Sequence, residues 1–171
     1  MAEPDLRRRA FLRGRSPKFN EAAIHPPWSL PFADFIDNCE RCDDCIEACP
    51  ENIIVRGDGG FPEISFTQGE CIFCTDCVKS CDAGAFRTGD LKEEEAWGLS
   101  VAILPSCLSL NAVVCRVCGE NCDADAIHFR LQTGGVSIPE ITQESCTGCG
   151  ACLYACPNQS ISIKASPDNK V

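Results

Sequence analysis

The chain has 171 residues, a net charge of −10, and sixteen cysteines against nine Phe, one Tyr and two Trp. That length makes one ordinary domain or two small ones, and so few aromatics leave a thin organic core. No apolar stretch approaches the ~18 residues of a membrane-spanning helix, the longest being Leu99–Leu104 and Asn111–Val114.

Charge divides the chain before any element is assigned. Residues 1–18 hold six basic side chains (Arg7, Arg8, Arg9, Arg13, Arg15 and Lys18) and two acids; the other 153 residues hold nine basic and twenty-three acidic ones. Residues 1–30 therefore read as a basic arm on an acidic body, and such a body disfavours nucleic acid as a partner. No apolar segment follows the basic start, so the expectation is a chain without a secretory signal, working in the cytoplasm. Tight cysteine runs in a reducing compartment point to metal or cluster binding rather than disulfides.

From residue 39 onward the sequence is a four-fold repeat. Cys39-x2-Cys42-x2-Cys45-x3-Cys49-Pro50 comes first, then Cys71-x2-Cys74-x2-Cys77-x3-Cys81. Cys107-x7-Cys115-x2-Cys118-x3-Cys122 follows, and Cys146-x2-Cys149-x2-Cys152-x3-Cys156-Pro157 closes the series, so that every cysteine is used. This is the spacing of bacterial ferredoxins for cubane [4Fe–4S] clusters. Three thiolates in one curling loop grip three irons, and the fourth iron takes the distant cysteine of a partner motif. The x3 gap fits one helical turn. Zinc sites built from four cysteines, the competing reading, do not use three thiols at uniform x2 spacing with a fourth x3 later.

Between Cys49 and Cys71, Ile53–Val55 and Phe61–Phe66 flank Gly57-Asp-Gly-Gly60, which predicts a β-hairpin. The pattern recurs between Cys122 and Cys146, where Ala126–Leu131 and Val136–Ile141 flank Thr133-Gly-Gly135. Between motifs two and three, Thr88–Glu95 is a charged linker. The predicted fold is α+β: two tandem 2[4Fe–4S] ferredoxin domains, residues 31–90 and 91–171, with short hairpins and one-turn helices around the clusters. Exchange of the fourth ligand within each domain gives four sets. The first is Cys39, Cys42, Cys45 and Cys81. The second is Cys71, Cys74, Cys77 and Cys49. The third is Cys107, Cys115, Cys118 and Cys156, and the fourth is Cys146, Cys149, Cys152 and Cys122. Pairing motif one with four, around two with three, is the alternative. In motif three Leu108–Val114 must loop out for Cys107 to reach iron; a three-iron cluster or a lost site are the other outcomes there.

The remaining residues suggest packing rather than chemistry. His25 and His128 read as surface or packing groups, Trp28 and Trp97 as anchors for the arm and linker, and Phe73 and Tyr154 as contacts to a cluster. Glu93–Glu95 reads as a solvated face. No nucleophile triad, phosphate loop or dinucleotide fingerprint is present, so the expectation is an electron-transfer or accessory protein, not an enzyme.

The four motifs in this order, the long first gap at Cys107, the Arg-rich Leu6–Gly14 and the segment His25-Pro-Pro-Trp-Ser29 together resemble the ferredoxin-type NapF family of periplasmic nitrate reductase systems. The resemblance implies a cytoplasmic iron–sulfur protein that interacts with the catalytic subunit NapA, in its precursor form, and assists its maturation before export. A general electron-transfer ferredoxin or relay subunit, and a non-redox binding module stapled by clusters, are the alternatives. Arg8-Arg9-Ala-Phe-Leu-Arg13 also looks like a twin-arginine export motif, but Gly14–Glu21 supplies no apolar region after it.

Overall fold

The computed structural model describes residues 23–133 and 136–165. Most of the basic arm, and the reading of its twin arginines, lie outside the described residues.

The elements are short because the cysteine loops take up much of the chain. In order they are α1 (Phe32–Asn38), α2 (Asp44–Glu47), β1 (Ile54–Arg56), β2 (Pro62–Ile64), α3 (Asp76–Lys79), β3 (Leu99–Ile103), α4 (Val117–Glu120), β4 (Ile127–Leu131), β5 (Ser137–Ile141), α5 (Ala151–Ala155) and β6 (Ile161–Ala165). Helices α2 to α5 are the one-turn helices that the x3 gaps predict. Hairpin β1–β2 pairs Ile54 with Ile64, and hairpin β4–β5 pairs Ile127 with Ile141, both antiparallel.

Two features go beyond the predicted elements. Helix α1 places Phe32, Phe35 and Ile36 on one face at helical spacing, and Phe35 and Ile36 are buried. Strand β6 returns to pair antiparallel with β3, Val101 opposite Ile163. The Gln143 side chain covers the other edge of β3 in the manner of a strand: its Oε1 accepts from the Val101 N–H (3.2 Å) and its Nε2 donates to Val101 O (2.6 Å).

The first half has a reduced counterpart of the β3–β6 pair. Ser29 and Phe86 form a single antiparallel bridge. Leu30 N–H donates to Ala85 O (3.0 Å) and Arg87 N–H to Trp28 O (2.8 Å). Residues 24–30, read from sequence as the end of the arm, are thus built into the body. Ile64 N–H donates to Ile24 O (2.7 Å), and Trp28 is 1% exposed. The Trp28 indole donates to Lys92 O (2.9 Å) and its backbone N–H to Ala96 O (2.6 Å), which ties the linker down. The main apolar cluster is formed by Phe35, Ile36, Ile53, Ile54, Phe61, Phe66 and Phe86, and Trp97, Leu153 and Ile163 of the second half pack against it.

Candidate iron–sulfur centres

The first, second and fourth centres begin with a loop that curls. Two residues after the first cysteine, Arg41, Phe73 and Gly148 sit at φ 61°, 53° and 75°; one residue after the second, Asp43, Thr75 and Gly150 sit at 74°, 65° and 87°. These left-handed positions bend the chain around a common centre, at a steric cost to any residue but glycine. A further one lies three residues past each fourth cysteine, at Asn52, Gly84, Asp125 and Gln159. After two of these turns a backbone N–H reaches a sulfur: Ala126 N–H donates to Cys122 Sγ and Ser160 N–H to Cys156 Sγ, both at 3.3 Å.

The folded loops bring the cysteines together around four recesses. One is lined by Cys39, Cys42, Cys45 and Cys81, and a second by Cys49, Cys71, Cys74 and Cys77. A third gathers Cys107, Cys115, Cys118 and Cys156, and the last Cys122, Cys146, Cys149 and Cys152. Their volumes are closely alike, about 380, 350, 360 and 370 Å³ in that order. The third recess is therefore comparable in size to the others, although its motif departs from the common spacing. Residues Leu108–Val114 fold into a pinned turn. Asn111 Nδ2 donates to the carbonyls of Pro105 and Cys107 (both 2.8 Å), and the buried Ser109 hydroxyl donates to Ser137 O on β5. Leu110, Val113 and Val114 are left on the surface, Val114 at 87% exposure.

The chemistry of the donors suits a polynuclear cationic group. Burial is the largest influence on the thiols and pushes Cys45, Cys71, Cys77 and Cys152 up to about 12 and Cys118 up to about 11. Repulsion from neighbouring cysteines adds to this. Burial likewise raises Cys39 and Cys146, opposed by backbone hydrogen bonds from Arg41 and Gly148. Thiols raised in this way become thiolates when a bound cation takes the place of the proton. Among the described residues, no three or more Cys, His, Asp or Glu converge on a single-ion position.

The other singled-out residues divide. His25 is a packing group: its ring lies 4.7 Å from that of Phe35 and 5.6 Å from that of Phe32, and Nδ1 meets Pro62 O at 3.2 Å. Burial holds its pKa below the ordinary 6.5. His128 is on the surface, 4.0 Å from Asp125. Phe73 packs edge-on to Trp28 and Trp97, at 6.1 and 6.3 Å between centroids. Tyr154 departs from its expectation. It lies on the outer face of α5 and is exposed, because Leu153 takes the inward position against the core.

A seam between the halves, absent from the sequence reading, is the main addition. Cys71 N–H donates to Cys149 O (2.8 Å), joining the cysteine loops of the second and fourth sets directly. Beside it the Trp97 indole donates to Thr147 O (2.9 Å) and packs edge-on to Phe66 at 6.0 Å. A Cβ on Gly148 would lie 2.7 Å from Trp97 Nε1, and one on Gly150 would overlap the Phe66 ring. The glycines of the fourth loop thus admit Trp97 and the first half's Phe66 as well as meeting the loop's curl. The only sequence signal was their presence where motifs one and two have bulkier residues.

This fold and these centres define a tandem dicluster iron–sulfur protein of the ferredoxin type. Residues 38–85 and 113–160 match the 4Fe-4S dicluster domain family, and two such domains with sixteen cysteines fit four [4Fe–4S] clusters. The second match begins after Cys107, so the placement of that residue beside Cys115 rests on the structure. The chain belongs to the ferredoxin-type NapF proteins. It is 41% identical to ferredoxin-type protein NapF of Haemophilus influenzae over 99% of this chain and 100% of that protein. Identity to NapF of Escherichia coli K12 is 39%, over 94% of this chain and 95% of that one. The methylamine utilization ferredoxin-type protein MauM of Methylorubrum extorquens is 31% identical over 88% of this chain and 75% of its own length. Among the described residues no helix is long and apolar enough to cross a membrane.

Proposed function

We propose that the four cysteine sets each hold one [4Fe–4S] cluster, in two units of residues 31–90 and 91–171, with residues 24–30 built into the first. The clusters would supply one-electron chemistry at potentials set by burial and N–H donors to sulfur. The chain's own residues supply the rest. Left-handed turns aim backbone donors at Cys122 and Cys156, and Cys39, Cys45 and Cys77 are buried from water. The client in this reading is the catalytic subunit NapA of periplasmic nitrate reductase, met in the cytoplasm as its precursor, and the service is electron transfer or cluster-related chemistry before export. Identity of about two residues in five to NapF proteins along nearly the whole chain carries this reading.

The MauM likeness favours a second reading, a general electron carrier, because a ferredoxin-type relative of this architecture is named for a different system. Client binding separates the two. The basic residues 1–18 would steer the acidic body toward an acidic surface. Full-length protein should bind unexported NapA precursor, and a chain lacking residues 1–20 should bind it more weakly at low salt, with a smaller difference at high salt. Equal affinities would remove the arm from the mechanism, and no binding by either form would leave the general carrier.

A further inference from the structure

The four sets follow one another through space in a different order from the sequence. Helix α2, which carries Cys45 of the first set, packs on α3, which carries Cys77 of the second. Helix α4, with Cys118 of the third set, packs on α5, with Cys152 of the fourth. Between these pairs stands the seam, where Cys71 of the second set donates its N–H to the Cys149 carbonyl of the fourth.

We propose that the seam of Cys71, Cys149 and Trp97 is the electron crossing between the halves, so that the order of the relay is first, second, fourth, third. The proposal rests on the reading of the four sets as cluster sites. Electron transfer falls steeply with distance, and this is the one place where cysteine loops of different halves are joined directly among the described residues. The step moves a single electron. One electron would pass between the group held by the second set and the group held by the fourth, the one losing what the other gains, and no proton or atom would be exchanged. The first and third sets then form the two ends. Cys42 of the first is exposed, and the third lies beside the exposed Val113 and Val114. Trp97 is a positioning residue here, holding the fourth loop through Thr147 O while it packs on Phe66 and Phe73.

The test uses electron paramagnetic resonance of reduced protein with iron content measured alongside. A chain carrying Cys39→Ala, Cys42→Ala, Cys107→Ala and Cys115→Ala keeps the second and fourth sets and should hold about eight irons. When reduced, it should give a signal split by interaction between two spins. The reciprocal chain, with Cys71→Ala, Cys74→Ala, Cys146→Ala and Cys149→Ala, keeps the outer sets and should give unsplit signals. Unsplit signals from the first chain at full iron content would overturn the crossing. Trp97→Ala in the chain with all its cysteines guards against failure of the multiple variants. Its iron content should be unchanged, while spin relaxation of the reduced signal slows at least about two-fold; unchanged relaxation would overturn the proposal. Absence of iron and sulfide from the unaltered chain would instead defeat the reading of the sets as cluster sites.

Discussion

The two halves carry the same cysteine loops on different supports. In the first, the loops rest on an aromatic core of Phe35, Phe61, Phe66 and Phe86 with Trp28, while its hairpin strands are three residues long and its closing pair is one bridge. In the second, Phe129 is the only Phe, and the buried apolar residues among those described are small or aliphatic: Ala96, Val101, Ala126, Ile127, Ala151 and Ile161. Backbone ladders take over there, with five-residue strands in both β3–β6 and β4–β5. Small two-stranded sheets without a large apolar face are marginal on their own. The comparison therefore teaches that the second half leans more heavily on its bound clusters and on the seam to the first.

Chelation should expose that difference with the largest effect. Removal of iron turns binding free energy into lost folding free energy. Amide protection in β3–β6 and β4–β5 should then collapse to the unfolded level, while α1 and the residues around Phe61 retain a measurable part. Hydrogen exchange of the iron-free chain checks this, and equal collapse in both halves would break the comparison. Next in size, Phe35→Ala empties the centre of the first core and should cost about 3–5 kcal/mol, read by denaturant unfolding under anaerobic conditions. Gly150→Ala places a methyl group against the Phe66 ring at a φ of 87° and should cost about 1–3 kcal/mol. Because its effect travels through the seam, it should weaken magnetic coupling between the halves before it lowers iron content.

The smallest effect is a pH dependence confined to the first half. His25 is held neutral by burial between Phe32, Phe35 and Pro62, and its folded pKa lies below 6.5. The unfolded chain then binds more protons just below 6.5, so this contribution to stability is complete above that value and declines as pH falls through it. His25→Phe should flatten the change in unfolding midpoint between about pH 7.5 and about pH 5.5. An unaltered slope would assign the acid sensitivity to the clusters alone.

How much of this was legible in the sequence follows from the range of each interaction. The cysteine loops, the one-turn helices and both hairpins are local patterns, and their spacing or turn residues can be read directly. The ferredoxin ligand exchange suggests sets joining Cys49 with Cys71, Cys74 and Cys77, and Cys122 with Cys146, Cys149 and Cys152, and each of these groups lines one recess. The pairing of β3 with β6 was not, since Val101 and Ile163 are 62 positions apart and no local signal fixes their register. Trp28 and Trp97 were legible as anchors but not in their partners. The fourth loop's glycines were read for donors to sulfur; their closeness to Trp97 and Phe66 depends on how two halves dock, which no single motif encodes.

The most direct test of the account is the iron and acid-labile sulfide content of anaerobically purified protein. Four complete sets, including the third with its seven-residue gap, predict about sixteen of each per chain. Stoichiometric zinc with little iron would contradict the cluster reading outright, and about twelve irons would contradict the placement of Cys107 as a working member of the third set.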